Sequence, residues 1–119
     1  MPVFPFIEMT KADLAFSLER GVGHKYTVSE TKHQTKMIDH LEGWGFIVTK
    51  IVLSTKTGTS DIWAGSPCGQ LWIVEAKRED GVLSELQLAK LMAAYRNKAV
   101  VMCAYGYEDY KRKFIHLTT

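Results

Sequence analysis

The fold is decided by residues 58–77, whose sequence is GTSDIWAGSPCGQLWIVEAK. Residues 61–64 form a short, largely apolar run that begins with an acid. Residues 71–77 have the alternation and β-branched content of a strand. Gly65, Pro67 and Gly69 lie between the two runs and favour a tight turn. The stretch therefore predicts a β-hairpin.

Charged side chains occupy the end of this hairpin, where an ordinary buried strand would carry Val or Ile. Because successive side chains of a strand alternate between its faces, Glu75 and Lys77 project together and Ala76 points away. If the two strands pair directly, Asp61 lies near the same end. Two carboxylates with space between them can hold Mg²⁺, and a neighbouring lysine can hold or help deprotonate a metal-bound water. The pattern predicts a site that hydrolyses phosphodiester bonds.

The order of these residues along the chain resembles the PD-(D/E)XK nuclease superfamily, and in particular its VRR-NUC branch. The pattern of that branch runs Glu, Asp, Glu-x-Lys and Gln, and the resemblance covers roughly residues 29–105. Ser60 stands where the family often has Pro, at a position that carries no ligand. The matching residues are Glu30, Asp61, Glu75, Lys77 and Gln87.

The resemblance implies an α/β fold with a restriction-endonuclease-like core, in which helices flank a mixed central sheet. It also implies a DNA endonuclease that depends on Mg²⁺ or Mn²⁺. Asp61 and Glu75 would bind the metal together with the backbone carbonyl of Ala76, and Lys77 would position the attacking water. Glu30 would reach the metal directly or through water. By the same resemblance, Gln87 would lie beside the catalytic lysine.

Two members of the set also have purely structural explanations. Glu30 lies in the first turn of a helix that Ser29 caps, where an acid interacts favourably with the helix dipole. Gln87 follows Ser84 with the spacing of a capping box, in which its side chain returns to the Ser84 backbone. A Glu-x-Lys tripeptide occurs by chance in many proteins. The prediction therefore depends on the ordered set and not on any one member.

Length and composition limit the protein to one domain of ordinary globular character. The chain has 119 residues, of which 46% are hydrophobic and 24% are charged, so it is not an intrinsically disordered sequence. Cys68 and Cys103 lack metal-type spacing and are expected to be free thiols. Residues 1–7 are apolar but contain two prolines and are too short for a membrane span. We expect a soluble protein of the cytoplasm of a bacterial or phage-infected cell, without membrane contact.

The distribution of charge is more informative than the net charge of +2. Residues 61–81 carry four acids and two basic residues, whereas residues 82–119 carry six Lys or Arg and three acids. An acidic spot beside a basic flank suits a metal-dependent nuclease, although ordinary surface charge explains it as well. Lys56 lies in a polar loop that is equally consistent with a plain turn, and a basic helix end also complements the helix dipole. The residues expected to contact DNA are Gln34, Lys56, Lys111, Arg112 and Lys113.

Periodicity and caps place the remaining elements. We divide the chain into an N-terminal extension, residues 1–28, and a nuclease-like domain, residues 29–119. The extension has one short helix, whose role is open: it covers a sheet edge, packs on a partner subunit or does nothing specific. The predicted elements are a helix over about 11–20, a helix over 29–43, a strand over 46–53 buried on both faces, a helix over 84–96 with Leu86, Leu88, Leu91, Met92 and Tyr95 in the core, a parallel strand over 99–104 and a last helix after Gly106.

A small domain with one metal site can cut one strand per engagement. We therefore expect a homodimer that cuts branched DNA, most simply a four-way junction, as stand-alone VRR-NUC proteins resemble junction resolvases. Three alternatives remain open: a monomeric nicking or flap nuclease that needs a partner, a non-catalytic DNA-binding module of the same fold, and an α/β domain in which Glu75 and Lys77 form only a surface ion pair. The candidate dimer interface is the apolar set Phe4, Phe6, Ile7, Leu14, Phe16 and Leu18.

Overall fold

A four-stranded mixed sheet lies between two pairs of helices in the computed structural model, which describes residues 4–20, 30–52 and 60–119. This arrangement confirms the predicted α/β class with helices flanking a mixed sheet. The elements in chain order are α1 (Lys11–Leu18), α2 (Glu30–Gly43), β1 (Ile47–Val52), β2 (Ser60–Gly65), β3 (Leu71–Lys77), α3 (Glu85–Arg96), β4 (Val100–Tyr105) and α4 (Tyr107–Thr118).

The strands lie in the order β1-β2-β3-β4. The first three are antiparallel neighbours, whereas β4 runs parallel to β3 because α3 carries the chain back across the sheet. In the turn between β2 and β3, Ser66 donates its N–H to the Gln70 carbonyl at 2.9 Å. Gly69 has φ +90°, a left-handed conformation that favours glycine. The predicted hairpin and the predicted parallel strand are both confirmed.

One face of the sheet packs against α2 and α4. Because directly paired residues share a face, the side chains of Ala64, Trp72 and Val100 line up on this side across three strands. The helices contribute Met37 and Leu41 from α2 and a stripe at helical spacing from α4. The α4 stripe consists of Tyr110, Phe114 and Leu117. This layer is the larger of the two cores.

The opposite face is covered by α1 and α3 only over β3 and β4, where Ile73, Leu91 and Val101 form a second core. Ser17 of α1 donates its hydroxyl to the Val101 carbonyl at 2.5 Å. The predicted helix over about 11–20 is confirmed, and its role is to cover this part of the sheet. The predicted Ser29 cap lies outside the described residues.

The segment before α1 packs into the same body. Phe4 is buried in the first core with its ring edge-on to Trp44 and Phe46. The Gln70 side chain accepts from the N–H of Ile7 and donates to its carbonyl, each at 2.8 Å. Leu14 and Leu18 pack against the second core. Phe4 is therefore not available for the expected dimer interface, whereas Phe6 is 50% exposed and the other residues of that set are partly exposed, so the interface stays a prediction.

β1 is an edge strand, so the prediction that residues 46–53 are buried on both faces is wrong. Ile47 is 81% exposed. On the side of α1 and α3, no described element covers β1 or the part of β2 from Trp63 to Gly65, since those helices pack on β3 and β4 and reach β2 only at Asp61. We call this uncovered area the open sheet face. Its side chains are Ile47, Thr49, Trp63 and Leu71.

The inward side of α3 also differs from the prediction. Leu91 is fully buried, but Leu86 and Leu88 are exposed. Gln87 and Leu91, four residues apart, face the sheet, and Leu86 and Leu88 flank Gln87 on the helix surface. None of the helices formed by the described residues has the length and apolar character that crossing a bilayer requires.

Candidate functional site

Asp61 and Glu75 face each other across the β2–β3 hairpin. They are direct partners in the antiparallel register, so their side chains lie on the same face of the sheet. Both side chains are almost completely buried, under α3 and beside Cys103 of β4. Two buried acids at one cross-strand pair are unfavourable unless a proton, a cation or a set of donors neutralises them.

Lys77 lies on the same face, two residues beyond Glu75, as the alternation predicts. Its Nζ is 3.5 Å from Glu75 Oε1, and its side chain is buried. Ala76 points into the first core, again as predicted. The metal-binding role of the Ala76 carbonyl stays a prediction. The described pairing of β2 with β3 ends at Asp61 and Glu75, so the site lies at that end of the hairpin.

Gln87 does both of the things that the sequence offers as alternatives. Its Oε1 accepts the Ser84 N–H at 2.9 Å, while the Ser84 hydroxyl accepts the Gln87 N–H at 3.1 Å, which completes the capping box. Its Nε2 donates to Glu75 Oε1 at 2.6 Å. The cap therefore fixes the side chain that orients the Glu75 carboxyl. The same residue begins α3 and contacts the site.

We expect Gln87→Ala to lower both stability and turnover. Loss of the cap costs about 1 kcal/mol, and loss of the donor that orients a metal ligand lowers turnover about ten- to a hundredfold. Ser84→Ala is the matched control, because it removes the capping hydroxyl and leaves the Glu75 contact in place. Thermal unfolding and cleavage rates would be measured for both. Equal turnover in the two variants would reduce Gln87 to a capping residue.

Lys90 is the site residue that sequence reasoning missed. Its Nζ forms an ion pair with Asp61 Oδ2, and its side chain is 32% exposed. Lys90 follows Gln87 by three residues on α3 and so lies on the same side of that helix, which is the signal that could have found it. The α3 residues Gln87 and Lys90 thus each hold one of the two carboxyls.

The two acids have opposite charge states. Burial and the neighbouring Asp61 raise the pKa of Glu75 from its ordinary value of 4.5 to about 9. Burial also acts to raise the pKa of Asp61, but a hydrogen bond from Glu75 and the Lys90 ammonium outweigh it, so that this pKa lies below its ordinary value. At neutral pH, Asp61 is therefore ionised and Glu75 holds a proton when no cation is bound.

The donor set of this site suits a divalent cation. Apart from the proton that Glu75 donates to Asp61, no hydrogen-bond donor among the described residues reaches Asp61 Oδ1 or Glu75 Oε2, although both atoms are buried. One oxygen from each facing carboxyl is thus left for a shared proton or for a cation, and Mg²⁺ is commonly held by one or two carboxylates with water and substrate oxygens. The described residues contain no group of three or more His, Cys, Asp or Glu placed to hold a metal ion.

The structure describes some of the other predicted site residues and not others. Glu30 is the first residue of α2, but its side chain is not among the described ones, and Lys56 lies wholly outside the described residues. Gln34 is buried on α2, which is not the exposed position that contact with DNA needs, so this prediction is wrong.

The basic residues near the C-terminus lie in the middle of α4 and not at its end. Lys113 is fully buried, with Nζ 2.9 Å from Asp109 Oδ2 and donating to the Cys103 carbonyl at 2.7 Å, so its prediction as a DNA contact is wrong. Arg112 is held by Asp109 and Glu19. Lys111 pairs with Glu108 on the helix surface, where a role in DNA contact stays a prediction.

Comparison of the chain with family models, with curated proteins and with solved structures gives no match. The resemblance to the VRR-NUC branch therefore rests on the ordered residues themselves.

Proposed function

We propose that this protein is a metal-dependent DNA endonuclease that hydrolyses phosphodiester bonds. The observation that carries the proposal is the direct cross-strand pairing of Asp61 with Glu75, with Lys77 on the same face of the sheet. An ion pair for stability alone would not need a second buried acid. A cation site explains the second acid, because one oxygen of each carboxyl has no partner among the described residues beyond the shared proton.

Each side chain has a role in the proposed reaction. Asp61 and Glu75 would hold Mg²⁺ or Mn²⁺, which supplies Lewis-acid stabilisation of the negative charge that develops on the phosphoryl oxygens. Lys77 would donate a hydrogen bond to the water that attacks phosphorus and so orient it. Gln87 would keep the Glu75 carboxyl in one orientation through the 2.6 Å bond to Oε1.

The order of elements supports a restriction-endonuclease-like core. From α2 onward, the chain forms a helix, three antiparallel strands, a helix, a parallel strand and a helix. The resemblance to the VRR-NUC branch implies this order and places the Asp on the second strand and Glu-x-Lys on the third. Both positions agree with β2 and β3.

The direct test is incubation of the protein with labelled duplex, single-stranded, flap and four-way-junction DNA in the presence of Mg²⁺, Mn²⁺ or a chelator. We expect cleavage with either metal, none with chelator and none for Asp61→Asn. Asp39→Asn is the control, because Asp39 is an exposed acid on α2 away from the site. Binding of DNA without cleavage under every condition would favour the non-catalytic module.

We also propose a homodimer acting on branched DNA, because symmetric cutting of a junction needs two sites related by a two-fold axis. The open sheet face is one exposed apolar surface of the described residues that suits such an interface. Measurement of mass in solution and mapping of cuts on a junction test this. A monomer at micromolar concentration, or unpaired nicks on plain duplex, would instead support a partner-dependent nicking nuclease.

A further inference from the structure

Lys90 supplies to Asp61 the positive charge that a metal cation at the Asp61–Glu75 pair would also supply. Its ammonium pairs with Asp61 Oδ2, whereas Asp61 Oδ1 and Glu75 Oε2 have no donor among the described residues other than the Glu75 proton. Asp61 is almost fully buried, so a positive group next to its carboxylate is strongly favoured. Lys90 itself is one-third exposed, which distinguishes it from Lys77, the buried lysine of the site.

This difference in exposure separates the roles of the two lysines. Lys77 is enclosed and 3.5 Å from Glu75, so it has little room to change partner. Lys90 reaches Asp61 from the solvent side on a four-carbon stem anchored on α3, and its charged end can leave the carboxylate without unfolding the helix.

We propose that Lys90 is a tethered counter-cation of Asp61, which a divalent cation displaces and which then pairs with a phosphate of the bound nucleic acid. This inference rests on the proposed function and adds a residue to it. The ammonium neutralises Asp61 as long as the site holds no metal. A divalent cation takes over that neutralisation and leaves a positive side chain at the entrance of the site, where the phosphate backbone arrives.

Two measurements on Lys90→Met test the proposal without reference to turnover. The first is the affinity for Mn²⁺ alone, measured by calorimetry. We expect the variant to bind Mn²⁺ about tenfold more tightly than the unsubstituted protein, because the competing charge is gone and a partly exposed pair of this kind contributes about that factor.

The second measurement is the affinity for a short DNA duplex in Ca²⁺, taken over a series of salt concentrations. Loss of one phosphate contact is expected to weaken binding and to lower the slope of log K against log salt by about one. Lys90→Arg is expected to restore most of the binding, because a guanidinium also pairs with phosphate.

Lys98→Met is the matched control, since it removes one lysine that pairs with Glu8 on the surface, with both side chains well exposed. Equal Mn²⁺ affinity in Lys90→Met and Lys98→Met would overturn this inference and leave the proposed function standing. An unchanged DNA affinity and salt slope in Lys90→Met would overturn it as well. Failure of the unsubstituted protein to bind Mn²⁺ through Asp61 would overturn both the inference and the proposed function.

Discussion

Glu75→Gln is expected to remove metal-dependent cleavage, with a loss on the order of a thousandfold or more in rate. The amide keeps the volume of the carboxyl, and its oxygen can still accept from Gln87 Nε2. What disappears is one anionic ligand of the proposed cation. An isosteric change is needed because Glu75 is 0% exposed, so that alanine would leave a cavity and confuse lost chemistry with lost packing.

Glu85→Gln is the control for this variant, because Glu85 is an exposed acid in the first turn of α3. Cleavage rates would be measured at saturating Mg²⁺ and Mn²⁺ together with the unfolding temperature of each protein. Near-normal cleavage by a folded Glu75→Gln protein would show that the Asp61–Glu75 pair is not the catalytic site.

The metal-free protein is expected to lose stability as the pH rises from about 5 to 9. Glu75 has an ordinary pKa of 4.5 and a folded-state pKa of about 9. Below pH 4.5 the group is protonated in both states, and its contribution to the free energy of unfolding is fully present. Between these values the unfolded chain releases the proton while the folded chain keeps it, so rising pH favours unfolding, by a few kcal/mol over the whole window.

Denaturant unfolding at several pH values in chelator would measure this slope. Glu75→Gln is the reference, because an amide does not titrate, and the difference between the two proteins cancels the contributions of other groups. Addition of Mn²⁺ at about a hundred times its Kd should raise the free energy of unfolding of the unsubstituted protein by about 2.7 kcal/mol at pH 8. Parallel pH profiles of the two proteins would contradict the assignment of a proton to Glu75.

The hairpin and its acidic pair could be predicted because they depend on local rules. Alternation fixes which side chains of β3 share a face, and a five-residue turn with Gly and Pro leaves few registers for β2. Asp61 therefore had to fall near Glu75. The contact between Lys90 and Asp61 was harder to predict from the sequence. It depends on where α3 lies over the sheet, and nothing in the sequence states that position directly.

Burial of β1 could not be decided by its composition. A near-continuous apolar run suits a strand covered on both faces, but it also suits an edge strand whose outer residues form a surface. The order of strands decides whether β1 is buried, and that order depends on the placement of β4 parallel to β3. Ile47 is exposed because α1 and α3 lie over the other half of the sheet.

The burial of Lys113 has a signal in the sequence of α4. Tyr110, Phe114 and Leu117 form a stripe with spacings of four and three residues, and Lys113 falls within that stripe at i+3 from Tyr110. Three consecutive residues of a helix point in different directions around its axis, so Lys111, Arg112 and Lys113 cannot all lie on its solvent side. Asp109, four residues before Lys113, supplies the partner that makes burial of this ammonium tolerable.

The open sheet face carries a tryptophan, Trp63, whose fluorescence can report binding to that face. Trp72 is buried against Phe46 and Phe114, and Trp44 packs on Phe4, but Trp63 lies partly exposed two residues from Asp61 and on the same side of β2. A soluble quencher such as acrylamide should therefore reach the indole of Trp63 before the other two. Anything that settles on that face, whether nucleic acid or a second copy of the chain, would shield this indole and shift its emission without any attached dye.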